Sequence, residues 1–344
     1  MVRYSFLIIT FVLFLSSPFY GQRPNTKKVT FKYIQPPEFP LPSNVKTYHS
    51  QVNNYSTRVS TLNNIMPERI ISIDGYERAS SLSEADLLIK FSINNASSIN
   101  SVQKVNYKEK INDSTYVDKV GGIYIVESTI NISMFIKDVL NDRILSSKDG
   151  INRNQKFTSQ RYSTYAAAIA ARKANALSDA TRAYHALYST SISSFISSIN
   201  SDFGYPVKKT SQPIARGKGK KHDYSDLNKA FNQFSSTLEK YDGSNLTPEI
   251  ELGVLNCIDI WNKAILEYVP KKRKARIGDK IIGELYFNLA YAHFILRDWE
   301  NVYKKLSKAN ESKGLKRLTK NFDLKTKNLE KRFKSNVVTE RPEL

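Results

Sequence analysis

Residues 283–309 read GELYFNLAYAHFILRDWENVYKKLSKA, and their spacing decides how the last third of the chain folds. Tyr286, Leu289 and Ala290 recur at helical intervals, Arg297-Asp298-Trp299 breaks the period, and Val302, Leu306 and Ala309 resume it. Two helices joined by a tight turn are predicted. Small residues at Ala290 and Ala309 let the helices approach, while Tyr286, Leu289 and Leu306 fill the groove between them.

More helices flank this pair. Residues 248–268 begin with Pro248 after Thr247, a strong helix start, and bring Cys257, Trp261, Ala264 and Ile265 to one side. Leu227, Phe231, Phe234 and Leu238 make an earlier face, and Leu315, Leu318, Phe322, Leu329 and Phe333 a later one. A helical domain is expected over 226–335, followed by a disordered tail at 336–344.

Upstream, residues 206–225, PVKKTSQPIARGKGKKHDYS, combine Pro, Gly, Ser and Lys with hardly an apolar side chain. They read as an exposed, flexible, basic linker. The GKGKK run lacks the spacing of a phosphate-binding loop.

The domain before it, 23–205, reads as an α/β sandwich with one long alanine-rich helix. VTFKYI alternates as a strand, 46–65 has helical spacing through Val52, Tyr55, Val59 and Leu62, and ERIISID reads as a second strand. Leu87, Ile89, Phe91 and Ile93 alternate with polar residues. From Tyr124 to Ile136, Val126, Ser128, Ile130, Ile132 and Met134 share one face of a long strand, with a turn at Asn141-Asp142 and a return through RILSSKDG. The polar 97–120 segment is either a mobile excursion or an edge hairpin. Then Ala166, Ala170, Ala174, Leu177, Ala180, Tyr184 and Leu187 recur every three or four residues, an alanine stripe suited to lying close against a sheet. The fold class is therefore α+β.

The first 22 residues set an address. One early cation, Arg3, precedes an apolar run from Phe6 to Leu15 and a small-residue end. This is the pattern of a signal peptide (1–22), with an uncleaved anchor as the alternative. No cysteine follows the run, which excludes the usual lipoprotein attachment. The single Cys257 forbids an internal disulfide and reads as a buried small hydrophobe. An exported chain without disulfides fits a bacterial periplasm, or an outer-membrane association.

The formal charge is +20, and residues 270–344 hold 20 Lys/Arg against 9 Asp/Glu. Such a field favours anionic polymers, lipid head groups or acidic proteins, with nucleic acid unlikely for an exported chain. A lysine-rich solvated helix surface is the other reading.

The 286–309 run resembles a tetratricopeptide repeat (TPR), a helix–turn–helix unit of 34 residues. Tyr286 takes the large-aromatic position, Leu289 the buried leucine and Ala290 the small one; Arg297-Asp298-Trp299 stands where Gly-Asp-Tyr is usual; Val302, Leu306 and Ala309 complete the second helix. Arg297 for glycine, Val302 for alanine and Gly314 for proline depart from the pattern. The chain is also similar to exported TPR-containing proteins of Gram-negative bacteria, in which an α/β domain precedes a short helical array. The resemblance implies a concave groove for a peptide or protein, with Asn288 and Tyr291 as candidate groove residues and Lys304, Lys305 and Lys308 nearby.

Catalytic chemistry is not legible. His49, His185, His222 and His293 lie far apart and in no metal-ligand spacing. No nucleophile elbow or dinucleotide fingerprint occurs, and turn or capping roles account for Asp74 and Asp86. No catalytic residue, cofactor or metal is expected. The leading expectation is a non-enzymatic envelope protein that docks a protein partner through its helical array. A basic protein binding anionic envelope polymers or lipid head groups comes second, and an enzyme with its site in the N-terminal domain third.

Overall fold

A computed structural model describes residues 25–56, 71–219, 221–243, 246–272, 274–312 and 314–337. The expected signal peptide and the stretch 338–344 of the expected tail lie outside the described residues; Asn336 and Val337 are helical. The fold is mixed α and β, with a sheet domain and a helical C-terminal region, and the chain divides into two compact units.

The first unit joins the residues up to Gln35 to Val207–Lys334. Strand β1 (Asn25–Ile34) pairs antiparallel with β7 (Val207–Arg216). Half of the expected flexible linker, 206–225, is therefore a strand. Its ladder partner lies some 180 residues away, with the Thr30 and Ser211 hydroxyls 2.7 Å apart across the pair. Helices α2 (Ser225–Lys240), α3 (Pro248–Leu266), α4 (Asp279–Ile295), α5 (Trp299–Asn310) and α6 (Lys316–Val337) supply the rest. Helix α3 starts where its sequence indicated, with the Thr247 hydroxyl accepting from the Ile250 amide at 3.4 Å. Phe31, Phe234, Trp261, Phe287, Tyr291, Phe294 and Phe322 fill one core. Ring pairs such as Phe234–Trp261 at 5.2 Å meet edge-on, the favoured aromatic geometry.

Cys257 is fully buried there, its Sγ donating to the Gly253 carbonyl at 3.2 Å, and burial pushes the thiol up to about 12. Close approach of α2 and α3 depends on Gly253, because a Cβ there would lie 2.6 Å from Thr237 Oγ1.

The second unit covers Pro36–Pro206 with the residues from Ser335. Its five-stranded sheet runs β3 (Glu77–Arg78), β2 (Thr47–Asn54), β4 (Leu87–Lys110), β5 (Tyr116–Asp138), β6 (Arg143–Thr158). Here 47–54 is a strand, not the start of a helix over 46–65, because it pairs parallel with β4 from Tyr48↔Leu87 to Asn54↔Ile93. Residues 57–65 of that expected helix lie outside the described residues. Of ERIISID, Ile71 and Ile73 are buried but 71–74 join no ladder.

The 97–120 segment is the distal part of a β4–β5 hairpin that stays paired to Lys110↔Tyr116. All seven β5 residues read as one face, from Tyr124 to Ile136, are buried. Helix α1 (Tyr165–Asp202) packs on this face through Ala180, Tyr184, Leu187, Tyr188, Ile192, Phe195 and Ile199. The alanine stripe holds only in its second half. Ala166, Ala170 and Ala174 are exposed and Leu177 is 83% exposed, while Ala168 and Ala183 are buried. In so alanine-rich a stretch several registers satisfy a helical period, and the sheet selects one. Gly122 allows the helix start to dock, since a Cβ there would meet Ala168 Cβ at 2.7 Å.

Candidate functional site

Helices α4 and α5 form the expected hairpin. Leu289, Ala290, Val302, Leu306 and Ala309 are all buried, and Tyr286 and Trp299 pack half-buried at the margin. Arg297 adopts a left-handed φ of 59° at the turn, the conformation that glycine takes without steric cost. Its guanidinium lies over the Phe333 ring at 4.4 Å. Asp298 then caps α5, its carboxylate accepting from the Asn301 amide at 3.3 Å and facing His293 Nδ1 at 3.0 Å. Burial pushes the Asp298 carboxyl up, but the Asn301 contacts and His293 outweigh it and hold it low. Burial holds the His293 imidazole below its ordinary value against the opposing pull of Asp298.

The inner face of α4 is already occupied. Asn288, fully buried, accepts from the Ala215 amide at 2.9 Å and donates to the Ala215 carbonyl at 2.9 Å. One side-chain amide thus satisfies both backbone groups of a β7 residue, as a neighbouring strand would. Tyr291 is fully buried against Phe31 of β1, Phe234 and Phe322. Of the candidate groove residues, these two therefore hold the chain's own ribbon and are not open to a partner; an asparagine inside an apolar helix was the available signal, because a buried amide requires partners.

The lysines sit elsewhere. Lys304 is exposed, and Lys308 pairs with Glu311 at 3.2 Å. Lys305 is half-buried with Nζ 3.4 Å from Asn262 Oδ1, its ammonium lowered by burial and then by Lys304.

A different face is open. On α3, Cys257, Trp261 and Ala264 are buried, whereas Leu252, Leu255 and Leu266 are 59%, 43% and 85% exposed. At about 100° per residue the three leucines fall within an arc of roughly 60°. The Asp259–Lys263 ion pair, 2.7 Å, lies between them along the same side. Sequence reading missed this stripe because α3 is apolar on both sides, and the inner residues drew the assignment.

In the second unit, Asp86 accepts from the Lys46 and Thr47 amides at 2.8 and 2.9 Å. Burial raises its carboxyl, and those amides more than reverse the effect. Tyr124 donates to buried Asp179 at 2.7 Å, and burial followed by that carboxylate pushes the phenol up to about 12. Among the described residues no group of three or more His, Cys, Asp or Glu is placed to hold a metal ion. No described helix is long and apolar enough to cross a membrane.

No protein-family model matches the chain, and no curated protein matches it in sequence. Among solved structures, the crystal structure of a neuraminyllactose-binding hemagglutinin homolog from Helicobacter pylori is similar over 44% of this chain and 84% of its own, at 16% identity and a TM-score of 0.24. A likeness that shallow carries no argument about this chain.

Proposed function

We propose that the chain is a non-enzymatic, exported envelope protein that acts as a protein-interaction scaffold through its helical unit. The observation that supports this reading is the leucine stripe of α3. Three large apolar side chains at helical spacing face water along one side of α3. A helix of a TPR-like array leaves such a face open until a further helix covers it, since each repeat buries its apolar surface only by stacking. The occupant is a partner's amphipathic helix with a short apolar stripe of its own, laid along α3. The inner groove, filled by β1 and β7, lends rigidity to that surface.

The test is recovery of partner from intact envelopes with the Leu252→Ser/Leu255→Ser/Leu266→Ser variant beside the wild type. Point changes are required, because truncation before α2 would strip the ribbon from the helices that hold it. Loss of a partner that wild type retains supports the scaffold; identical recovery refutes it. The cationic C-terminal quarter supports a second reading, binding of anionic envelope polymers. Salt separates the two, since counterion-dominated binding weakens steeply with ionic strength and apolar docking does not.

A further inference from the structure

The outward face of the β1–β7 ribbon carries a charge pattern that folding alone does not favour. The twenty residues of the two strands contain six cations, Lys27, Lys28, Lys32, Lys208, Lys209 and Arg216, and no carboxylate, and three of the six lie on the outward face. Val29 and Phe31 point into the core, so the alternating Lys28, Thr30 and Lys32 face outward with Ser211 and Lys209. Lys28 and Lys209 are exposed and Lys32 is half-buried. The register sets Lys32 directly opposite Lys209, an arrangement of like charges that destabilises a strand pair. None of the three lysines has an ion-pair partner among the described residues. Between them the Thr30 and Ser211 hydroxyls share one hydrogen bond, which leaves the second hydroxyl proton available to an anion. Lys28 and Lys32 stand about 14 Å apart along the strand, at ~3.4 Å per residue.

We propose that this face binds a linear phosphate-bearing polyanion running along the ribbon. Its phosphates would sit against Lys28 at one end and against the Lys32–Lys209 pair at the other, with the hydroxyl pair donating between. Repeated anions relieve the cross-strand repulsion that the fold leaves in place. A bilayer surface fits less well: peripheral binders add apolar side chains that enter the interface, and on this face Val207, at the ribbon's end, is the exposed large apolar residue. The inference goes beyond the scaffold reading and places anion binding on a surface separate from the α3 stripe.

The experiment titrates the full chain with inorganic polyphosphate, with orthophosphate at equal phosphate concentration, and with phosphatidylglycerol vesicles. Wild type should bind polyphosphate far more tightly than orthophosphate. Lys28→Gln/Lys32→Gln/Lys209→Gln should weaken it roughly a hundredfold, taking the usual contribution of a surface cation against a polyanion. Its slope of log affinity against log salt should be shallower by about two, and its thermal midpoint should not fall. The corresponding arginine triple should bind within a few-fold of wild type. A Lys316→Gln/Arg317→Gln/Lys320→Gln variant on α6 should bind unchanged, as should the α3 leucine variant. No polyphosphate binding, unaltered binding by the glutamine triple, loss in the α6 variant instead, or binding to vesicles alone would each overturn the proposal.

Discussion

Replacing Asn288 by alanine tests how the ribbon is held. The change removes both hydrogen bonds to Ala215, whose backbone is buried with a residue exposure of 2%. Each orphaned buried donor or acceptor costs about 1–3 kcal/mol, so the pair puts the loss near 3–4 kcal/mol before any cavity cost. Asn288→Asp separates geometry from chemistry. It keeps an acceptor for the Ala215 amide but sets a buried carboxylate against the Ala215 carbonyl. It should therefore be at least as destabilised as alanine at neutral pH, and recover in part on acidification as the carboxyl takes up a proton. Urea unfolding gives the stability change, and amide hydrogen exchange locates it. Protection should fall at Ala215 and along 207–216, with the β4–β5 ladder unaffected. A loss below about 0.5 kcal/mol, within the range of an ordinary surface change, would show that the clasp does not hold the ribbon.

Three further perturbations follow from the geometry. Arg297→Ala and Arg297→Gly both remove the stacking on Phe333, but only glycine escapes the left-handed backbone cost, so the glycine variant should be the more stable by about 1 kcal/mol; denaturant midpoints decide it, and equal stabilities would refute the strain. Gly122→Ala should destabilise the sheet unit by about 1–3 kcal/mol through the 2.7 Å clash with Ala168 Cβ, visible as loss of helix content at low urea, and an unchanged midpoint would refute the close packing. Burial lowers Lys325 to about 8, with Nζ 4.9 Å from the Tyr33 ring centre. The unfolded chain then binds more protons than the folded one above that value, so stability should rise as pH climbs from about 8 toward 10. Lys325→Met should be more stable at pH 7 and lose that slope in urea titrations across the range, whereas a variant with the wild-type slope would acquit Lys325.

How much of this was legible depends on whether a segment's partner is near in sequence. The α4–α5 hairpin and the Thr247-Pro248 start carry their signals locally, in spacing and caps. The β5 alternation from Tyr124 to Ile136 is likewise self-contained, because every second residue is buried whatever covers it. Residues 207–216 are different. Their composition is that of a loop, Ile214 and Ala215 being their buried apolar side chains, and the strand exists because β1 and Asn288 satisfy its backbone. Val52 and Tyr55 have helical spacing, yet residues 47–54 form a parallel ladder with β4 that overrides it. The groove assignment failed for the same reason. Asn288 and Tyr291 read as groove residues from their own helix alone, and what covers them is the β1–β7 ribbon of the same unit, whose first strand lies more than 250 residues earlier in the sequence.

The scaffold claim is tested most directly by photo-crosslinking in intact envelopes, with a photoreactive residue placed singly at Leu252, Leu255 or Leu266. Lys229, on the exposed side of α2, serves as the control position. Adducts of one common mass at the three α3 positions, absent at Lys229, are the expected result. Stripe positions that yield no adduct, or adducts no different from those at Lys229, would contradict it.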